Sequence, residues 1–321
     1  MFKWKKLGRV FNPTDIKNRS WLDEFAQAPA TLIFDNFVRV YFSCRPQANA
    51  NGQFISYCAY IDLDRTNLFN LKSIASKPVL QLGQKGTFDE FGTYPISIIR
   101  HKNEVYAYYA GWTRCESVPF NTAIGFAKSR NNGKSFTKLG HGPVLSYSLD
   151  EPFVISGPKI RKYNNMFFLW YIAGQRWILV NDRPEPVYKI RMASSLDGIN
   201  WVKLNKNLIV DKLGENEAQA SPDVIYKNGK YHMFFCYREG SDYRKNIART
   251  YRIGYAYSID MKEWIRLDEK AGINISTNTW DDEMIAYPHV FELDNKIYMF
   301  YLGNEVGRYG FGLAQLDGDL F

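Results

Sequence analysis

A proline recurs along this chain at nearly constant intervals, at Pro29, Pro95, Pro158, Pro222 and Pro288, with spacings of 66, 63, 64 and 66 residues. Such a period belongs to a radial or stacked array of supersecondary units, none of which buries a core alone. Each proline is read as opening an inner strand. A turn and an aromatic strand come about ten residues later, in Val38-Arg39-Val40-Tyr41-Phe42, Val105-Tyr106-Ala107-Tyr108-Tyr109, Met166-Phe167-Phe168-Leu169-Trp170-Tyr171, Tyr231-His232-Met233-Phe234-Phe235 and Ile297-Tyr298-Met299-Phe300-Tyr301. Asp35-Asn36, Asn164-Asn165, Asn228-Gly229 and Asp294-Asn295 precede four of these strands, and such pairs supply the positive φ angles of two-residue hairpins.

A third strand is read at Ile124–Ala127, Ile190–Ala193 and Ile253–Ala256, and a fourth begins on an aromatic residue. The fourth is Phe136-Thr-Lys-Leu, Trp201-Val-Lys-Leu and Trp264-Ile-Arg-Leu, with Phe69 a weaker counterpart in the first unit. Four antiparallel strands per unit make a propeller blade, so the chain is predicted to be an all-β, five-bladed β-propeller. The fifth unit stops after three strands, yet residues 4–7 spell Trp-Lys-Lys-Leu. The N-terminal strand is therefore expected to complete the last blade and remove its open edge.

With 45% hydrophobic and 16% aromatic residues, 321 residues suffice for one all-β domain spanning 1–321. The N-terminus has no apolar run of the secretory kind and no stretch reaches transmembrane length, so a cytoplasmic protein without an integral membrane segment is expected. Cys44, Cys58, Cys115 and Cys236 lack metal-ligand spacing and fit reduced thiols; no metal or cofactor is expected. The formal charge of +8 is spread over all units without a nucleic-acid motif, which favours a locally cationic site for an anionic small molecule.

In a blade, the loop before strand one and the loop after strand two share a face. The first set carries Glu24, Glu90, Glu217 and Glu283, each five residues before its proline, with Asp23, Asp89 and Asp282 beside three of them; blade 3 has Asp150 and Glu151 instead. A ring of carboxylates at the central mouth is expected. The second set carries Arg45, Trp112 and Arg114, Gln175, Arg176 and Trp177, Tyr237 and Arg238, and Asn304 and Glu305. Carboxylates, indoles and amides suit a sugar, and arginine forks add affinity for carboxylate or phosphate. Repeated acids also suit a structural duty, such as accepting backbone N–H bonds at strand entrances. Asp223 and His289 come directly after their prolines in single blades only, and blade-specific residues carry more functional weight than repeated ones. Gly-rich phosphate loops, Gly-x-Ser-x-Gly elbows and His/Cys metal clusters are absent from the sequence.

The five proline-led units, the Asn-Gly-Lys-Tyr-His-Met-Phe-Phe hairpin at 228–235 and the Ser-x-Asp-Gly-x-x-Trp turn at 195–201 resemble the five-bladed propellers of the glycoside hydrolase superfamily. That group includes family-43-like arabinanases and β-xylosidases, invertases and levansucrases, and mannosyl phosphorylases. The resemblance is greatest to a branch associated with bacterial surface-polysaccharide loci, through Arg39-Val-Tyr-Phe-Ser-x-Arg45, Ala110-Gly-Trp112, Trp280-Asp-Asp-Glu283 and Gly303-Asn-x-x-Gly307-x-x-Gly310. It implies a sugar-handling site. In the arabinanase type, acids directly before the first and third prolines and two residues before the fourth do the chemistry; here those positions are Ala28, Gly157 and Ala220.

The expectation is a carbohydrate-active enzyme cleaving or transferring a glycosyl unit in bacterial polysaccharide (O-antigen or capsule) biosynthesis. Glu217 is expected as general acid, and Glu24 or Asp23 as base or nucleophile. Glu90, Glu283, Asp223, Trp112, Trp177 and Asn304 are expected to bind substrate, with Arg45 and Arg238 holding an anionic group. The partner would be a carbohydrate, including nucleotide-, phosphate- or lipid-phosphate-linked sugars, and not nucleic acid. The alternative is a non-catalytic sugar-binding propeller that recruits a glycan intermediate or a pathway enzyme.

Overall fold

Five four-stranded antiparallel sheets make up the computed structural model, which describes residues 1–17 and 19–321. The inner strands are Glu24–Ile33, Gly92–His101, Phe153–Tyr163, Ala218–Lys227 and Ala286–Leu293. Each contacts the inner strands of both neighbouring blades, the last meeting the first, so the sheets close a ring around one axis. The second strands, such as Phe37–Arg45 and Lys230–Arg238, are buried nearly throughout. A blade is covered on both faces by its neighbours, so these strands read as continuous aromatic and aliphatic runs, where a half-exposed sheet would alternate.

In the fifth blade the strand order is Trp4–Phe11, Phe311–Leu316, Lys296–Leu302, Ala286–Leu293: the N-terminal strand closes the ring, as the Trp-Lys-Lys-Leu signature predicts. Phe2 and Trp4 are buried, and both pack on Phe234 of blade 4, with ring centroids 5.9 and 5.4 Å away. The solvent side of this edge carries exposed Lys3, Lys5 and Arg9, charges that discourage pairing with another chain.

The prolines sit inside the inner strands, which begin two to five residues earlier than the sequence reading placed them. Every one lies in a register slip, between Gln27 and Ala30, Thr93 and Ile96, Ser156 and Lys159, Ala220 and Asp223, and Ala286 and His289. The residue before the proline is left-handed at Ala28, Gly157, Ser221 and Tyr287, while Tyr94-Pro95 is cis. Proline fits there because the inner strand is the sheet edge facing the axis, where a missing N–H breaks no ladder bond. The hairpins at Asn164-Asn165, Asn228-Gly229 and Asp294-Asn295 use positive φ at both residues. Asp35-Asn36 does not; that turn is spanned by stacked Phe34 and Phe37, 4.2 Å apart.

Below the prolines a polar plug crosses the axis. Asp223 Oδ2 lies 3.2 Å from Lys159 Nζ and 2.5 Å from His289 Nδ1, and Arg161 bonds the other oxygen. His289 Nε2 accepts the Thr31 backbone N–H at 3.0 Å, which places the imidazole proton on Nδ1, toward Asp223. Blades 1, 3, 4 and 5 are thereby tied at one buried carboxylate. Burial opposes ionisation of Asp223, but Arg161, Lys159 and His289 outweigh it and hold the carboxyl well below the usual range. Burial pushes His289 down to about 4, with Lys159 and Arg161 adding to the shift against the pull of Asp223.

Both the plug and the closing strand have measurable consequences. Between pH 6.5 and 4 the unfolded chain protonates His289 while the folded chain does not, so stability falls as pH falls through that window, by about 3 kcal/mol from this group. Chemical denaturation of His289→Gln should show that part of the slope removed. Deleting residues 1–8 removes two buried aromatic side chains worth roughly 2 kcal/mol each and opens a sheet edge; a markedly lower melting temperature with aggregation is expected.

Candidate functional site

Loops preceding the inner strands and succeeding the second strands meet on one face, and there a cleft of about 480 Å³ opens between blades 1 and 2. Its walls include Arg45, Phe54, Phe91, Trp112, Arg114 and Phe120. Arg45 ends the second strand of blade 1, and Trp112 lies near the end of the equivalent strand, Glu104–Thr113. The Trp112 ring stacks on Tyr94 at 5.7 Å and meets Phe120 at 4.4 Å. The blade 3 hairpin, Met166–Val180 and Arg183–Ser195, is longer than the others and adds Pro184 to the wall.

Both cleft arginines lack a carboxylate partner among the described residues. The Arg45 guanidinium lies among the rings of Phe25 at 4.6 Å, Phe54 at 5.2 Å and Tyr94 at 5.7 Å, and donates from Nε to Ser56 Oγ at 3.1 Å. Burial lowers its pKa, only partly offset by nearby Tyr94, Tyr287 and Glu24. Arg114 stacks 4.1 Å from Phe91 and donates to the Phe54 carbonyl at 3.3 Å.

One acid in each of blades 2 to 5 is committed to the fold, and of these only Glu217 belongs to the repeated glutamates. In blade 2, Asp89 accepts from Tyr109 at 2.9 Å and Lys138 at 2.5 Å. In blade 3, Glu151 accepts from Tyr171 at 2.7 Å and pairs with Lys203. In blade 5, Asp281 accepts from Tyr301 at 3.1 Å and Lys6 at 2.6 Å. In blade 4, Glu217 pairs with Arg266 at 2.6 Å. The basic residue of the Trp-x-Lys-Leu signature on the outer strand thus clamps the loop ahead of the inner strand of its own blade. Burial raises the Asp281 carboxyl, but bonds from Lys6, Thr279 and Ser276 outweigh it and bring it below its ordinary value; Tyr109, Tyr171 and Tyr301 are driven far up by burial and the adjacent carboxylate.

Glu217, expected as general acid, is fully buried. Its Oε2 accepts the backbone N–H groups of Lys212 and Leu213 at 2.9 Å each, and Oε1 accepts from Gln219 and Arg266. With both oxygens occupied by protein donors, its geometry is that of a loop clamp, and the expected ring of carboxylates at the mouth does not form around it.

Blade 1 departs from the pattern. The position of the clamped acid is held by Asp23, but Ser43 stands where the other blades have tyrosine and Ile74 where they have lysine or arginine. Asp23 donates its backbone N–H to the Arg45 carbonyl at 3.0 Å, and its carboxylate has no partner among the described residues. Glu24 stands opposite Arg45 in the strand register, without an ion pair between them. Its Oε1 accepts from Arg308 at 2.6 Å, while Oε2 is buried without a partner. Arg308 is aimed by the turn Asn304–Gly307, in which Glu305 and Val306 adopt φ of 52° and 53°, and by Gln27, which donates to the Val306 carbonyl at 2.6 Å. A β-branched residue at positive φ is strained, and such strain gathers at functional sites.

The remaining expected residues divide. Arg45 and Trp112 line the cleft, with Glu24 and Asp23 beside Arg45. Glu90 accepts the Gly86 N–H at 2.8 Å, and Glu283 is exposed. Asn304 braces the 282–284 loop through Glu283 N and Asp282. Trp177 packs on Phe120 and Phe153. Asp223 lies in the axial plug, away from the cleft walls. Arg238 is buried, with four hydrogen bonds to Tyr251, Tyr188 and the carbonyls of Pro186 and Glu239. Of the cleft walls, the sequence reading passed over Phe54, Phe91, Phe120 and Glu116, and it did not give Arg308 a role; the loop after strand two and the Gly303–Gly310 motif were the available signals. Among the described residues no group of three His, Cys, Asp or Glu side chains is placed to hold a metal.

The architecture is that of the five-bladed propellers found in glycoside hydrolases and phosphorylases. A structure from the GH130 family of mannoside phosphorylases, which contains glycoside hydrolases targeting β-1,2-mannosidic linkages in Candida mannan, superposes with a TM-score of 0.69 at 16% identity, covering 98% of this chain and 93% of that one. The chain belongs to the same family as the uncharacterized protein Rv1502 of Mycobacterium tuberculosis (strain H37Rv), with 33% identity over 315 residues, 98% of this chain and 99% of the relative. It is also 23% identical over 257 residues to a 1,2-β-oligomannan phosphorylase of Thermoanaerobacter sp. (strain X514), 78% of this chain and 77% of that protein. No family model matches it.

The clamp and the blade 1 acids separate experimentally. Arg266→Met leaves Glu217 buried without its cation and should cost about 3–5 kcal/mol in denaturant unfolding. Glu24→Gln, at a partly exposed ion pair, should cost under about 1 kcal/mol.

Proposed function

We propose that this protein is a carbohydrate-active enzyme that cleaves or transfers a glycosyl unit, with Glu24 as its acid–base carboxylate and Asp23 beside it. The observation that carries this reading is the asymmetry of blade 1: its acids are free of the clamp that immobilises their counterparts, and one Glu24 oxygen is buried without a partner on the strand beside Arg45, which lines the cleft. Arg308 and the strained turn behind it fix the orientation of the carboxylate. In the step we envisage, the Glu24 carboxylate takes the proton of the acceptor hydroxyl as the acceptor oxygen bonds C1, and passes it to the glycosidic oxygen as the C1–O bond breaks, so the group ends as it began. Phe54 and the Trp112–Tyr94 wall offer apolar surface to the sugar CH faces.

The setting we propose is cytoplasmic assembly of a bacterial surface polysaccharide, supported by the resemblance in sequence and by buried free Cys44, Cys58 and Cys236, which suit a reducing compartment. A second reading, a sugar-binding propeller without catalysis, is favoured by Ala28, Gly157 and Ala220 at the positions where arabinanase-type enzymes carry acids.

Turnover of β-1,2-manno-oligosaccharides and a wider oligosaccharide panel, with and without phosphate, tests both. Glu24→Gln should lose about 10²–10⁴-fold in turnover while keeping sugar affinity and melting temperature. Full turnover in that variant removes the assignment, and saturable binding with no product from any offered sugar selects the binding module.

A further inference from the structure

The turns that join strand one to strand two and strand three to strand four lie on the face opposite the cleft, and there the blades are not alike. In blade 2 these turns, residues 100–104 and 128–136, carry Arg100, Lys102, Lys128, Arg130 and Lys134 against one acid, Glu104. Glu104 is shared by Lys128 at 3.5 Å and Arg130 at 2.9 Å, and Arg100, Lys102 and Lys134 have no carboxylate partner among the described residues. Lys162 of blade 3 joins them: its Nζ lies 5.1 Å from the Phe167 ring, against which His101 of blade 2 packs at 5.0 Å. Burial, and after it the charges of Lys162, Lys102 and Lys128, push the His101 imidazole down, so three lysines from separate segments surround one ring.

Blades 3 and 4 present apolar tips at the same level. The turn after strand three is closed in blades 2, 3 and 4 by Ser129, Ser195 and Ser258, whose Oγ accepts a backbone N–H at 2.9, 2.9 and 2.8 Å. The residue after that serine is Arg130 in blade 2, but Leu196 in blade 3 and Ile259 in blade 4, exposed by 78% and 76%. The acids that follow, Asp197 and Asp260, are folded back on their own turns, each accepting two backbone N–H groups. Half-exposed Tyr226, at the end of the blade 4 inner strand, packs with Tyr231 at 4.8 Å and Tyr163 at 6.3 Å. One exposed aliphatic residue is ordinary; two at equivalent positions of consecutive blades, beside an uncompensated cationic sector, are not.

We propose that the face opposite the cleft, over blades 2 to 4, is a peripheral docking surface for an anionic lipid bilayer. Cations at headgroup level and aliphatic tips that enter between the headgroups are the two contributions that hold a protein on a charged membrane without a spanning segment, and a tyrosine matches that depth with an apolar body and a polar end. A groove of about 520 Å³, lined by Lys128, Ser129, Arg130 and Ser135 among others, has room for a headgroup. A nucleic acid backbone would answer the cations but give Leu196 and Ile259 no apolar partner. Docked this way, the protein turns its cleft away from the bilayer. None of these residues lines the cleft, so the docking face stands or falls apart from the glycosyl reading.

Co-sedimentation of the whole protein with vesicles of phosphatidylcholine alone, and of phosphatidylcholine mixed with phosphatidylglycerol, tests the surface. Binding is expected to the mixed vesicles only, and high salt should release it. Reversing two unpaired cations, in Lys102→Glu/Lys134→Glu, should weaken the partition by about tenfold or more. Leu196→Ser/Ile259→Ser should weaken it by about fivefold or more, and all these variants should keep the melting temperature of the parent protein. Lys3→Glu/Lys5→Glu makes the same change of charge on the outer edge of blade 5 and should alter the partition by about twofold at most. Failure to sediment with the mixed vesicles overturns the assignment. So does an equal loss from the Lys3 and Lys5 pair, which would make net charge the cause, or a partition indifferent to the two serine substitutions. Binding to a duplex oligonucleotide that is tighter than to vesicles and unchanged in Leu196→Ser/Ile259→Ser would assign the face to nucleic acid instead.

Discussion

The buried clamp between an outer-strand cation and an acid in the loop ahead of the inner strand organises four of the five blades. Asp89 with Lys138, Glu151 with Lys203, Glu217 with Arg266 and Asp281 with Lys6 each join the periphery of a sheet to the loop that leads into its centre. A buried pair of this kind adds modest net stability, because desolvation offsets the attraction, but breaking it leaves a charge that low-dielectric surroundings cannot hold. Its effect is on register: the loop has one place to be. In the fifth blade the cation comes from the first residues of the chain, so the clamp there also enforces ring closure.

The repetition lapses in blade 1. There the tyrosine and the cation of the clamp give way to Ser43 and Ile74, and the two acids are left unclamped, with Glu24 opposite Arg45 in the strand register. The same region carries the strained Glu305–Val306 turn and two arginines without acids. Asp223, Lys159 and His289 tie the inner strands of blades 3, 4 and 5 together beneath the prolines. A repeated fold supplies five equivalent positions, and one site needs only a few of them to differ.

The blade count, the strand order and the closure by Trp-Lys-Lys-Leu were legible in the sequence, because each reflects a local period that survives in every unit. Arg45 and Trp112 were legible for the same reason, as the ends of recognisable second strands. Glu217 and Glu90 do accept backbone N–H bonds, the structural duty open to the repeated glutamates, but the clamp and its members were not legible. Asp89 meets Tyr109 twenty residues on and Lys138 on a different strand, and Lys6 meets Asp281 from the opposite end of the chain. A glutamate such as Glu217 looks equally available for catalysis or clamping until its four donors are seen. Asp223 stood out as blade-specific, correctly in that it is singular; its partners, however, come from other blades.

Sequence alone therefore determined the architecture, because proline spacing, turn dipeptides and aromatic runs act over a few residues and repeat. Tertiary structure decided which acids are committed and which are free, and which arginines are compensated. Those are questions of burial and of partners brought together from distant parts of the chain, and the energy of a buried charge depends on what surrounds it far more than on its place in the sequence.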